Sequence, residues 1–431
     1  VSTIEELKRG DLKGVKELKI SSDLDEFPRE ILELSDTLEL LDLSNNRLDS
    51  LPDDIGRLKR LKILFLGQNR FTSIPRVLST LPSLTMIGLK SNQISMWEED
   101  ALPLTIRWIV FTDNSIEKIP LSIGKLINLQ KMMLAGNSIK ELPSSMRNCK
   151  NLELMRLSAN RLIEMPDWVF DMPKLSWLAY ASNPCSRSVD QDSRLDQVSW
   201  RDIDMDELLG EGASGIISRV KVAGKYHALK LFRGDMTSDG YPQDELLASM
   251  RVGDHPNLNR PHSRVVDHPQ DSQALLFDLI PSTYTNLSNP PSLDSCTRDI
   301  YDSQQLFDMP FILEVVSGIS SALMSLHDRD INHGDLYAHN ILVDSSGHSI
   351  IGDFGASTIY DRKRYPKFQR LEVRAFGYLL EELIARSNIS NKDEIEILDI
   401  LTKLKDSCIE TDTTKRPTFR EIYHTISTLS R

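Results

Sequence analysis

One spacing constrains this chain more than any other. An asparagine returns every 22 or 23 residues, at Asn46, Asn69, Asn92, Asn114, Asn137, Asn160 and Asn183. Each stands inside the frame LxxLxLxxNxLxxLP, met first in full as LELLDLSNNRLDSLP from Leu38 to Pro52 and last as LSWLAYASNP. A looser copy, VKELKISSDLDEFP, precedes them and starts the series. The frame places a short strand ahead of each asparagine, with alternate side chains turned inward. The asparagine side chain is suited to satisfying backbone groups in the bend that follows. No single copy can bury its own apolar face, so the copies must stack.

These residues resemble the leucine-rich repeat family over roughly Val15 to Cys185. The resemblance implies a curved solenoid over residues 1–185 that binds a protein partner on its concave face. The outward strand positions lie six and four residues before each asparagine. The first set is Leu40, Ile63, Met86, Trp108, Lys131, Leu154 and Trp177, and the second is Asp42, Phe65, Gly88, Val110, Met133, Arg156 and Ala179. That surface is unusually apolar, with Phe65, Trp108, Met133 and Trp177 its largest members. Either bulky neighbours shield one another across adjacent strands, or a partner, including the second half of this same chain, covers them.

Composition sets the outer bounds. At 431 residues the chain exceeds what one core serves, so two domains are expected. An apolar fraction of 40% and a charged fraction of 26% describe a soluble globular protein. No apolar run is expected to reach the roughly 18 residues of a membrane span, and the polar, amphipathic start VSTIEELKRGDLKG does not read as a signal peptide. Cys149, Cys185, Cys296 and Cys408 have no metal-ligand spacing and suit a reducing, cytoplasmic setting. A net charge of −12 argues against nucleic acid as a partner. The periodicity stops at Cys185, and the polar stretch 186–201 reads as a linker.

From residue 202 onward the pattern changes to strands, then helices. Gly210, Gly212 and Gly215 form GxGxxG, followed by the strand IISRVKV rather than by a helix. That order disfavours a dinucleotide site and fits a glycine-rich hairpin over nucleotide phosphates. Lys230 lies on the next strand, in HALK. Glu245, in the helix-compatible PQDELLASMRV, is its expected ion-pair partner, with Asp244 as a rival. Further on, INHGDLYAHNILVDSSGHSIIGDFGAS sets Asp335, Asn340 and Asp353 in one short window. Those side-chain types are what phosphoryl transfer needs: a proton acceptor and hard ligands for Mg²⁺.

HGDLxxxN followed by DFG resembles the catalytic loop and magnesium motif of the eukaryotic-type protein kinases. The resemblance covers about 203–431. It implies a two-lobed domain over 202–431, with a smaller lobe over about 202–280 and a larger one over about 281–431. The expected fold is therefore α+β multidomain, a leucine-rich repeat solenoid followed by a two-lobed kinase-like domain. The resemblance also assigns roles. Lys230 anchors ATP phosphates, Asp335 accepts the proton, and Asn340 and Asp353 hold Mg²⁺. Phe277 guards the adenine pocket, and Asp278, Leu279 and Ile280 present backbone groups to adenine.

Four departures qualify this. The family's Arg before the catalytic Asp is Gly334, which removes the usual receiver of an activation-loop phosphate. Tyr337 replaces a Lys two residues after the Asp, which leaves hydroxyl specificity open. About twenty residues separate DFG from LEVRAFG, about half the family's interval, with Glu372 in place of an Asp and no APE sequence between. Arg416 of KRPTF matches an Arg whose family partner is that absent Glu, so it needs another. Finally, HGDL with Asn also occurs in small-molecule phosphotransferases. The expected function is an ATP- and Mg²⁺-dependent protein kinase, acting on Ser or Thr, with the repeats recruiting partners or regulating. The alternatives are a small-molecule kinase and a nucleotide-binding scaffold without turnover.

Overall fold

The computed structural model describes residues 3–186, 195–212, 214–234 and 236–429. The chain divides into two compact units, Val1–Met172 with Asn183–Cys185, and Pro173–Ser182 with Ser186–Arg431. Residues 187–194 of the expected linker lie outside the described residues.

The first unit opens with helix α1 (Ile4–Arg9), whose N-terminus is closed by a capping box between Thr3 and Glu6. Seven three-residue strands follow: β1 (Glu17–Lys19), β2 (Leu40–Asp42), β3 (Ile63–Phe65), β4 (Met86–Gly88), β5 (Trp108–Val110), β6 (Lys131–Met133) and β7 (Leu154–Arg156). They pair in parallel with one register, Leu40 beside Ile63, Met86, Trp108, Lys131 and Leu154. Middle residues such as Leu41, Leu64, Ile87, Ile109 and Met132 are fully buried, as the alternation requires.

The asparagines form a ladder. Asn69 Nδ2 donates to Leu43 O and Leu66 O, and its Oδ1 accepts from Leu48 N. Asn137 and Asn160 repeat the pattern three and four copies on. Each amide thus ties its own bend to the preceding copy, leaving the buried backbone groups satisfied. Where a proline closes the frame it often stands at the N-cap of a 3₁₀ turn, as Pro75, Pro120, Pro143 and Pro166 do.

The second unit begins with the strand of the last copy, β8 (Trp177–Ala179). After it come β9 (Asp196–Ser199), β10 (Ile203–Glu211), β11 (Gly215–Val222), β12 (Lys225–Phe232), helix α2 (Pro242–Arg251), β13 (Pro261–Val266) and β14 (Ala274–Phe277). Six of these strands make one sheet in the order β10-β11-β12-β14-β13-β9. The helices α3 (Met309–Asp328), α4 (Gln369–Ile384), α5 (Lys392–Cys408) and α6 (Phe419–Ser427) build the remainder. A six-stranded sheet followed by a helical body is the α+β arrangement expected of this half.

Helix α3 corrects one expectation. It is long and apolar enough to cross a membrane by length and composition. Its 20 residues carry only Glu314 and Asp328 as charges, because serines, a glycine and a histidine fill the polar positions. Ile312, Val315, Val316, Ile319, Leu323 and Leu326 are nevertheless fully buried within the unit's core. Asp308 caps the helix by accepting from Phe311 N.

Candidate active site

The hairpin β10–β11 carries the three glycines. Gly215 is required by packing: a Cβ there would lie 2.3 Å from Leu231 O on the neighbouring strand. Gly210 and Gly212 differ, since a Cβ at either would meet nothing within 4 Å. Packing therefore gives no reason for their bareness. A backbone cradle that approaches phosphate closely does.

Lys230, on β12, pairs in register with Ile217 and Leu275, and its ammonium forms an ion pair with Glu245 of α2. Both are largely shielded, with side-chain exposures of 13% and 3%. Asp244, the rival, instead accepts from Ser182 Oγ at 2.6 Å. Burial pushes the Glu245 carboxyl up, the Lys230 ammonium opposes this, and the carboxylate of Asp353 adds to the rise. The exposed Asp353 carboxylate adds a hard oxygen donor to that of the Asn340 amide. This pair of donors is the fit to Mg²⁺.

The catalytic loop is built on hydrogen bonds to its own backbone. Asn340 Nδ2 donates to Asp335 Oδ2 at 2.8 Å and to Asp335 O at 3.0 Å, which leaves the amide oxygen for a cation. His333 Nε2 donates to Gly352 O at 2.9 Å and its Nδ1 accepts from Asp335 N, joining the loop to the DFG strand. Asp353 is exposed with φ +55°, while Phe354 is buried edge-on against the His333 ring. The conformation thus turns the carboxylate outward and the ring inward. Phe277 ends β14, buried and paired with Ala228 and Pro261. Asp278, Leu279 and Ile280 form the extended connection after it.

Glu372, at the start of α4, organises this loop from beneath. It accepts from Gly334 N at 2.8 Å, His333 N at 3.2 Å and His327 Nε2 at 2.8 Å. Burial alone would push its carboxyl up, but the hydrogen bond and charge of His327 and the bond from Gly334 hold it below the usual range. Gly334 has φ +76°, and a Cβ there would stand 2.4 Å from Ala356 O. The absence of an Arg at this place therefore has a steric reason.

The absent partner of Arg416 is replaced by carbonyls. Its guanidinium donates to Arg370 O, Glu410 O and, at 2.9 Å, Pro173 O. Pro173–Ser182 runs on across the same region. Trp177 Nε1 donates to Leu336 O at 2.9 Å, and its ring stacks on Tyr337 at 4.3 Å and 6°. Tyr378 stacks on Trp177 as well, at 5.6 Å. Tyr180 N donates to Thr358 Oγ1 at 3.0 Å, and its ring packs on Phe368. This short segment touches the catalytic loop, the strand after DFG, and α2 through Ser182.

An ion-paired strand lysine and helix glutamate, an Asp–Asn catalytic loop and an outward DFG carboxylate now stand in one unit. Family comparison agrees: residues 203–395 match the protein kinase domain, and residues 36–94 match the leucine rich repeat. The chain carries a protein kinase domain. Relatives of the kinase domain are distant. Mitogen-activated protein kinase kinase 2 of Arabidopsis thaliana is 25% identical over 48% of this chain and 53% of its own length. Receptor-like serine/threonine-protein kinase SD1-7 of the same plant is 29% identical over 46% of this chain and 22% of its own length. Probable serine/threonine-protein kinase kinY of Dictyostelium discoideum is 24% identical over 54% and 48%. The matched stretches thus span about half or less of these curated relatives.

Sequence reasoning placed Glu372 only as a substitute residue and missed His327, His333 and the Pro173 carbonyl. A shared mid-loop His–Gly–Asp and a bare Arg416 were the available signals. Neither names a partner dozens or hundreds of residues away.

Proposed function

We propose that this chain is an ATP- and Mg²⁺-dependent protein kinase acting on Ser or Thr, lacking the usual loop-phosphate switch, with its repeats recruiting a protein partner or regulating the kinase domain. The observation that carries the reading is the intact pairing of Lys230 with Glu245 alongside the Asp335–Asn340 bond. A kinase domain needs the lysine–glutamate pair in place to act, and the Asp335–Asn340 bond orients the proton acceptor.

ATP supplies the phosphoryl group and Mg²⁺ screens the charge on its oxygens. The bare backbone at Gly210 and Gly212 approaches the phosphates, and Lys230, fixed by Glu245, anchors them. Phe277 closes the depth of the adenine pocket, and Asp278 to Ile280 offer backbone groups to the base. Asn340 and Asp353 hold the cation. Asp335, oriented by Asn340, accepts the proton of the substrate hydroxyl. The segment Pro173–Ser182 bonds to the catalytic loop through Trp177 and to Thr358 through Tyr180, which supports control of the kinase domain by the last repeat. The four cysteines are free and buried, consistent with a cytoplasmic setting.

The test is transfer of the γ-phosphate from ATP by purified full chain. Incorporation into itself or a generic Ser/Thr substrate is expected, with Asp335→Asn lowering the rate about 10²–10⁴-fold. Nucleotide binding with Mg²⁺ but no transfer to any protein would favour the scaffold or small-molecule readings.

A further inference from the structure

We propose that His227, His262 and Asp278 form a zinc site beside the adenine connection. The three residues come from three elements, and strand register brings them together. Ala228 and Pro261 both pair with Phe277, so His227 before the first, His262 after the second and Asp278 after the third fall at one end of the sheet. Their ligand-capable atoms all lie within 4.8 Å of one another. His262 Nε2 and His227 Nδ1 are 3.0 Å apart, with ring centroids at 4.7 Å. Two nitrogens on one tetrahedral zinc, each about 2.0–2.1 Å from it, stand roughly 3.3 Å apart. The histidine pair is already near that spacing, and the exposed Asp278 side chain needs only rotation to join it.

The surroundings suit a ligand set. The second ring nitrogen of His262 is 2.8 Å from Ser263 Oγ, the outer contact that fixes which nitrogen faces an ion. Both histidines are half-buried, so solvent can reach the cluster and a water can take a fourth position. Two imidazoles and one carboxylate select zinc over magnesium or calcium, which prefer all-oxygen sites. No step of phosphoryl transfer uses any of these side chains. Asp278 serves adenine through its backbone, so an ion on its carboxylate would tie the connection to β12 and β13. A connection fixed in this way costs less to order when nucleotide binds, and affinity rises. This consequence alone rests on the kinase reading.

The experiment is zinc titration of the full chain by calorimetry in excess Mg²⁺, together with the absorption spectrum of the cobalt-loaded protein. One saturable ion per chain is expected, with a four-coordinate cobalt spectrum free of sulfur charge transfer. His227→Ala and His262→Ala should each weaken binding at least about tenfold, the loss that even an outer partner's removal brings. No saturable zinc binding, or binding unchanged in both variants, overturns the site. So does binding lost only in Asp353→Asn, which would assign the ion to the magnesium position. A fluorescent ATP analogue should bind several-fold tighter with zinc in the unsubstituted chain and not in His262→Ala. Zinc binding with unchanged nucleotide affinity overturns the coupling. Failure of phosphoryl transfer with the zinc results intact would count against the kinase reading alone.

Discussion

Trp108 and Trp177 occupy the same position of the repeat, six residues ahead of the ladder asparagine, yet they live differently. Trp108 is half-buried on β5, with the Lys131 ammonium 4.3 Å from its ring and no hydrogen-bond partner for Nε1 among the described residues. Trp177 is 2% exposed, sandwiched between Tyr337 and Tyr378, with its indole N–H spent on the catalytic loop. The repeat dictates which residues point inward and leaves the outward ones unassigned. What an outward residue does is decided by the surface that meets it. An indole on a repeat strand is thus a packing decoration in one copy and part of the kinase domain in another.

The sharpest way to break this contrast is Trp177→Ala. Emptying a buried site of that size should cost about 3–5 kcal/mol in the second unit. Hydrogen exchange at amides 333–340 should rise well above that of the Asn137 ladder. Unchanged protection would mean the loop does not lean on Trp177. Glu372→Gln comes next, because it removes the charge that gathers the loop amides below the tryptophan; about 1.5–3 kcal/mol should be lost. Its pH behaviour gives a second reading. The folded carboxyl lies below its ordinary value, so its stabilisation is full above roughly pH 4.5 and fades as pH falls through the lower folded value. Denaturant midpoints across pH 3–6 should therefore converge between the two proteins at the acid end, with the pH range set by carboxylate titration. Trp108→Ala should do least, about 1–2 kcal/mol, the size of a cation–π contact whose lysine is largely shielded from water. A loss as large as that at Trp177 would erase the distinction between the copies.

The array was legible because its signal is repeated. The inward leucines, the ladder asparagines and the capping prolines each recur, and local hydrogen bonds satisfy them. The kinase motifs were legible for a different reason. Lys230 and Glu245, or Asp335 and Asn340, are fixed by chemistry at short, characteristic offsets. What stayed illegible was long-range and singular. That Arg416 turns to Pro173 O, and Trp177 to Leu336 O, follows from contacts 243 and 159 residues apart, and a carbonyl has no sequence signature. The membrane-length apolarity of α3 was also underread, because small polar residues broke the visual run without adding charge. The three residues beside the connection, His227, His262 and Asp278, are silent in the sequence, since only strand register gathers them.

Gly334 has a consequence for change over generations rather than for catalysis. With φ +76° and Ala356 O sitting where its Cβ would go, the loop admits no side chain at that place. Restoring the family's arginine is then not one substitution away. The loop would first have to be rebuilt around a new backbone path, with Glu372 giving up the Gly334 amide it now holds. A side chain introduced at this place would need the whole loop path to shift, so the position is closed to single-residue change.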